Sequence, residues 1–365
     1  MASTEPYIIT DRSAAESDDK CGMKFWWQRL EGGKGIVPKE EHSALAIGKQ
    51  IHEDFAFLAQ LDDISPANLS DTVEGWLHEL PPNATDTPRL LELVYRRLGW
   101  FVAFGLYIEP KIREQFETIM VEGEIILDRH PLAIAVTPDR VLRSRAQPSL
   151  IVYKEYKSAA NPGKRWSEQW PYKIQLHLGL KALEEELKTK LHYAQIIGLD
   201  KGSYTKVQPI RLSHPYVWGW HNSKDGRWTC DYTKARASGW EPMPVWEYPG
   251  GIVEWVRLCG KEVALKQFPH SPPTFLNEHM LNKYIARRTA RMRQVTAVHS
   301  ACQTDLALRN LVFESRNGQC NPEYGGSCPY LRLCWNASAH LNPLATGDYT
   351  VREPHHDVEV VGVDE

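Results

Sequence analysis

Residues 132–157 read LAIAVTPDRVLRSRAQPSLIVYKEYK, and the fold turns on how they are parsed. The run 132–137 (LAIAVT) is short and apolar, which predicts a buried strand. A second strand is predicted over 149–157 (SLIVYKEYK), apolar where it enters and charged where it leaves. Pro138-Asp139 follows the first run directly, and Glu155-Tyr156-Lys157 ends the second. Side chains alternate along a strand, so Glu155 and Lys157 project from one face. Two adjacent strands would then set Asp139 and Glu155 as a carboxylate pair beside an ammonium group. Paired carboxylates repel until a cation neutralises them, and hard oxygen ligands suit Mg2+ or Mn2+. Such a cation polarises a phosphodiester and acidifies a bound water, which Lys157 is placed to position or deprotonate.

A Glu-x-Lys by itself marks a solvated strand face far more often than an active site, and Pro-Asp is an ordinary turn. Their neighbours in chain order change the reading. Upstream, 43–61 (SALAIGKQIHEDFAFLAQL) predicts a helix with Gly48, Ile51, His52, Phe55 and Leu58 on or near one face. Downstream, 172–188 (YKIQLHLGLKALEEELK) predicts a helix carrying Gln175 and a charged face from Glu185 and Glu186 to Lys188 and Lys190. The ordered set His52, Asp139, Glu155/Lys157, Gln175 resembles the PD-(D/E)xK nuclease superfamily. It is most similar to the branch of RecB-type nuclease domains and CRISPR-associated adaptation nucleases.

Gly48-Lys49-Gln50-Ile51-His52 matches that branch's Gly-x-x-x-His helix, and Pro138-Asp139 its Gly/Pro-x-Asp element. Glu155-Tyr156-Lys157 and Gln175 match its Glu-x-Lys strand and helical glutamine. The resemblance implies an α/β fold with a restriction-endonuclease-like core. That core is a central mixed sheet flanked by helices, with helical insertions and a C-terminal iron–sulfur subdomain. It also implies that His52, Asp139 and Glu155 ligate Mg2+ or Mn2+, with the Tyr156 carbonyl a further ligand. Lys157 would be catalytic, and Gln175 would orient the site or the DNA. The chain departs from the pattern at Gly179, where the family often has a tyrosine; Tyr172 is the nearest substitute.

Seven cysteines are an odd number and too few for a disulfide scaffold of this size. Cys320, Cys328 and Cys334 cluster in GQCNPEYGGSCPYLRLCW (318–335), a segment able to fold around a metal, zinc included. A fourth ligand is needed, and Cys21 is the candidate. The resemblance implies that these four hold a [4Fe–4S] cluster; four thiolates also suit zinc. Tying Cys21 to Cys320 closes a loop of about 300 residues, worth roughly 5–6 kcal/mol if closure entropy behaves as it does for disulfides. A structural clasp is therefore expected rather than a redox centre. Cys230, Cys259 and Cys302 are expected to be buried or free thiols.

At ~150 residues per domain the length of 365 corresponds to two or three domains' worth of chain. Hydrophobic residues at 42% and charged residues at 24% exclude a disordered or fibrous protein. The residues divide into an N-terminal cluster-ligand and His-helix segment (1–60), a helical insertion (61–117) and the nuclease core (118–212). An accessory region (213–300), a cysteine segment (301–340) and an acidic tail (341–365) follow. Strands are expected at 118–127, 192–197 and 205–212, and an irregular or β-rich connection at 213–250. No signal-like or membrane-spanning run is seen, so a cytoplasmic setting is expected.

A formal charge of −3 advertises no global basicity. Locally, however, Lys283, Arg287, Arg288, Arg291 and Arg293 share one predicted helix and could track phosphates. Lys24, Arg29 and the Phe25-Trp26-Trp27 run could add stacking to unpaired bases or pack around the cysteines. The leading expectation is a metal-dependent DNA nuclease, an exonuclease on ends or single strands, with a possible helicase or recombination partner and no membrane. The alternatives are a catalytically inactive DNA-binding or adaptor protein of the same fold, and a zinc-stapled structural or interaction protein.

Overall fold

The computed structural model describes residues 8–39, 43–80, 87–159, 162–200, 214–315, 320 and 328–353. The chain enters as β1 (Ile8–Asp11) and turns into α1 (Arg12–Lys20), where the Asp11 carboxylate caps the helix by accepting from the Ala14 amide at 2.6 Å. After α2 (Gly22–Phe25) and β2 (Ile36–Pro38) come three long helices, α3 (Ser43–Gln60), α4 (Pro66–Glu79) and α5 (Pro88–Tyr107). The starts of α4 and α5 are alike. Ser65 and Thr87 cap them, and proline, which needs no amide partner, takes the first turn.

A short α6 (Glu109–Gln115) leads into β3 (Phe116–Val121), β4 (Ile125–Arg129), β5 (Leu132–Val136), β6 (Arg140–Ser144) and β7 (Ile151–Ala159). The chain then crosses through α7 (Lys164–Glu168) and α8 (Ile174–Glu186) to β8 (Tyr193–Asp200). A small sheet follows, built from β9 (Trp218–Asn222), β10 (Arg227–Thr229) and β11 (Glu241–Pro244), with α9 (Tyr232–Ala237) between the last two. Next come α10 (Gly251–Gln267), α11 (Glu278–Thr304) and α12 (Leu306–Val312). Finally β12 (Tyr349–Val351) runs antiparallel along β2.

The molecule is mixed α/β. Its four-stranded sheet has the order β3-β6-β7-β8, with two antiparallel pairings and then a parallel one between β7 and β8. A parallel pair needs a crossover, and α7 and α8 supply it. Successive side chains of this sheet enter different cores. Val141, Ile151, Tyr153, Ala194 and Ile196 join the core shared with α8, α11 and the N-terminal segment. Leu142, Val152, Tyr156, Ile197 and Leu199 join the core built on α3, α4, α5 and α10. The period of two along each strand thus makes three layers. Among the described residues no helix is long and apolar enough to cross a membrane.

Three expectations need correction. The LAIAV run, β5, does not neighbour the Glu155 strand. It lies between β1 and β4 in a separate sheet, buried along its whole length, which is why it reads as unbroken apolar sequence. Asp139 instead heads β6, a strand that periodicity misses because Arg140 occupies a core position. Arg140 is 1% exposed, and its guanidinium donates to both carboxylate oxygens of Glu109, at 2.6 and 2.9 Å. Second, the single strand expected over 118–127 breaks at Glu122-Gly123 into β3 and β4, which belong to different sheets. Third, the final eighteen residues, whose acidic composition predicts a poorly ordered tail, are structured as far as 353, where Tyr349–Val351 pairs with β2. Residues 354–365 and the strand expected at 205–212 lie outside the described residues.

Candidate metal centre

The centre forms where α3 crosses the end of the four-stranded sheet. Ile51, Phe55 and Leu58 bury one face of α3, and Phe55 stacks on Phe104 of α5 at 4.2 Å. That packing fixes the helix rotation and leaves His52 half-buried over the head of β6. His52 Nδ1 lies 3.0 Å from Asp139 Oδ1, a contact that requires one proton between the two atoms. The other Asp139 oxygen, Oδ2, accepts the Tyr156 amide of β7 at 2.6 Å. Tyr156 therefore meets Asp139 through its backbone N–H. Gly48 of the Gly-x-x-x-His pattern faces the Ser158 hydroxyl at ordinary contact distance.

Burial works against ionising Asp139, but the His52 charge and hydrogen bond, Lys157 and the Tyr156 amide outweigh it and hold the carboxyl below its ordinary value. Glu155 is buried on the opposite face of β7 from Tyr156. Its Oε1 accepts from Lys157 Nζ at 2.6 Å and from Gln175 Nε2. Gln175 is buried in the first turn of α8, so the crossover helix, the Glu-x-Lys strand and Asp139 meet as the sequence order predicts.

One member was missed. Glu122, in the connection from β3 to β4, offers a carboxylate that gathers with His52 and Asp139, all ligand atoms lying within 4.8 Å of one another. Its backbone is left-handed (φ 48°), uncommon for a residue with a side chain, and its amide donates to the Asp139 carbonyl at 3.3 Å. Partial desolvation of this exposed side chain and the neighbouring Asp139 charge raise its carboxyl above the ordinary range, His52 opposing them. The signal lay in Val121-Glu122-Gly123, an acid placed where a strand must turn. Among the described residues this is the set of three suited to a cation, and Glu155 stands beside it, held by Lys157 and Gln175.

The four cysteines singled out in the sequence, all among the described residues, lie near one another, though no three of their sulfurs gather within 4.8 Å as the ligand atoms of His52, Glu122 and Asp139 do. Cys21 opens α2, the Cys328 amide donates to the Cys320 carbonyl at 2.9 Å, and Cys334 lies on a short helix, Leu331–Trp335. Burial raises the Cys328 thiol, and burial pushes Cys334 up to about 11. Both also feel Cys21 and Cys320, so the four sulfurs share one neighbourhood. Phe25, Trp26 and Trp27 are buried here, with the Arg309 guanidinium 4.7 Å from the Trp26 ring, and they are no platform for bases. Arg29 pairs with Asp11 at 2.7 Å.

The basic stripe of α11 is largely spoken for. Arg288 is 2% exposed and donates to Asp18 at 2.6 Å. Arg291 grips both oxygens of the same carboxylate at 3.0 Å, and Arg287 pairs with Asp19. These arginines fasten α11 to α1, and Arg288 has no surface to offer a phosphate; the run of cations in the sequence could not reveal the facing acids. Lys283 and Arg293 remain exposed, Lys283 beside Lys157 and Gln175. No family model and no curated protein matches the chain.

Proposed function

We propose that this protein is a divalent-metal-dependent deoxyribonuclease that hydrolyses phosphodiester bonds at DNA ends or in single strands, with the PD-(D/E)xK core its sequence resembles. The convergence of His52, Glu122 and Asp139 beside Glu155, Lys157 and Gln175 carries this reading. The sheet order supports it: an acid heads β6, Glu-x-Lys occupies adjacent β7, and the glutamine comes from the crossover to parallel β8. Gly179 also becomes intelligible, because a side chain there would collide with the Tyr153 ring, 2.5 Å from the site of its Cβ.

The donor set fits a hard cation. The proton between His52 Nδ1 and Asp139 sits among three ligand groups where a cation would balance two carboxylates. When bound, Mg2+ or Mn2+ supplies Lewis-acid polarisation of the scissile phosphate and a more acidic water. The chain's own residues do the rest. Lys157 holds a proton at Nζ on the open side of Glu155, within reach of a phosphate oxygen or an attacking water. Gln175 keeps the Glu155 carboxylate from turning away. Cys21, Cys320, Cys328 and Cys334 would hold the [4Fe–4S] cluster, or zinc, as a clasp between the two ends of the described chain.

The test is cleavage of labelled single-stranded and blunt duplex DNA with Mg2+ or Mn2+, comparing the wild type with Lys157→Ala. Loss of at least about 100-fold is expected from removing the proton-handling group. Equal activity in the variant, or no cleavage by the anaerobically purified wild type with either metal, overturns the proposal.

A further inference from the structure

On the Lys157–Gln175 side the surface opens into a cleft of about 930 Å3, at the large end of the roughly 300–1,000 Å3 usual for ligand clefts. One wall is the segment between β7 and α8. Trp166 and Trp170 meet edge to face there at 5.4 Å, and the Trp166 indole fills the space that a side chain at Gly198 of β8 would need. This pair supports a single 3-10 turn, Trp170–Tyr172, closed by the Tyr172 amide on the Gln169 carbonyl (3.1 Å) and the Lys173 amide on the Trp170 carbonyl (3.0 Å). His177 Nε2, 3.0 Å from the Pro171 carbonyl, pins the turn to α8. The turn therefore carries Tyr172 on a fixed backbone while its ring is 78% exposed.

The other wall is α11, with Lys283 and Arg287, and the end of α1, with Lys20. Arg287 and Asp19 neutralise each other, and Asp19 is the one carboxylate among the lining residues. Lys173 and Lys283, both exposed, make no ion pair with described residues, so the cleft stays cationic from its rim to Lys157.

An isolated exposed ring needs no explanation. A ring held on a fixed turn in a cationic groove beside a phosphodiester-cleaving site has the two elements a single strand requires. Those are a flat face for a base and cations along the backbone. Within a duplex the base faces are already stacked and are withheld from Tyr172. We infer that the cleft binds an unpaired DNA strand, one base stacked on Tyr172 and the flanking phosphates on Lys173 and Lys283, and leads it past Lys157. This rests on the nuclease reading for the nature of the ligand.

The experiment is fluorescence anisotropy of labelled oligo(dT) and of a blunt duplex, with the full chain in EDTA so that no cleavage intervenes. Oligo(dT) should bind more tightly than the duplex. Tyr172→Ala should weaken it about 5- to 100-fold, Tyr172→Phe should not, and Lys283→Gln should flatten the salt dependence. Equal affinity for both DNAs, or unchanged binding by Tyr172→Ala, overturns the inference; if the wild type still cleaves with metal, the nuclease reading survives. Tyr172-dependent strand binding without cleavage in any divalent metal does the reverse, sinking the nuclease reading and leaving the cleft assigned.

Discussion

At the head of β6, Asp139 is met by a histidine and by a second carboxylate, Glu122; on α11, Arg288 and Arg291 are met by the carboxylate of Asp18. Both are clusters of charge that involve partners from distant parts of the chain. In the second, opposite charges meet: two guanidiniums share the Asp18 carboxylate, which needs no ligand from outside the chain. In the first, like charges face each other, and His52, Lys157 and the Tyr156 amide relieve Asp139 while Glu122 stays unfavourably placed, which leaves room for a cation. A charge cluster is thus read by the sign of what faces it. Opposite signs fasten elements together, and like signs leave room for a ligand.

The contrast predicts effects of opposite sign. Arg288→Met should destabilise by about 2 kcal/mol, because Asp18 loses one charge-assisted hydrogen bond while Arg291 still pairs with it; urea unfolding measures this, and an effect within about 0.5 kcal/mol, as at an ordinary surface site, would reduce the pair to a surface contact. Glu122→Gln should leave the fold intact and weaken Mn2+ binding about 10-fold or more, read by calorimetry. Unchanged affinity would remove Glu122 from the metal set. The smallest effect is on the metal-free protein, which Glu122→Gln should stabilise at neutral pH by less than about 1 kcal/mol, since Glu122 is exposed and screened.

The pH dependence carries the same sign. The folded carboxyl of Glu122 is raised above its unfolded value near 4.5. The folded state therefore takes up this proton first, and its contribution to stability improves as pH falls through that raised value toward 4.5. Buried His214, pushed down to about 3, acts oppositely: it stays neutral when folded and costs stability as pH falls below 6.5. The difference between wild-type and Glu122→Gln profiles isolates the glutamate. A difference that does not change between pH 7 and 5 would break the comparison.

How much of this was legible follows from where each partner sits. His52, Glu155, Lys157 and Gln175 could be read because each lies on an element with a clear period, and Asp139 because it follows a turn-forming proline; Glu155 nonetheless stays outside the group that His52, Glu122 and Asp139 form. β6 could not, because a core arginine satisfied by Glu109 looks like a solvent-facing charge. Glu122 was hidden inside a run that reads as one strand, its turn marked only by the following Gly123. The arginines of α11 misled for a related reason. Their acids lie some 270 positions away in the sequence, and no local pattern connects them. The cleft wall was equally silent, since a turn of aromatic residues becomes a platform only when α11 is set opposite.

The pairing of β2 with β12 also has a consequence for biosynthesis. Arg352 reaches the Lys34 carbonyl across 318 positions, Tyr330 the Ile36 carbonyl across 294, and Arg287 reaches Asp19 across 268. At roughly 5–20 residues per second a ribosome needs about 15–60 s to traverse 300 residues. The segment that carries Asp19, Lys34 and Ile36 therefore waits about that long for its partners. Until they arrive, the aromatic run Phe25-Trp26-Trp27 lacks Phe313 and His340, against which it packs, and this segment of the nascent chain is exposed to misassociation.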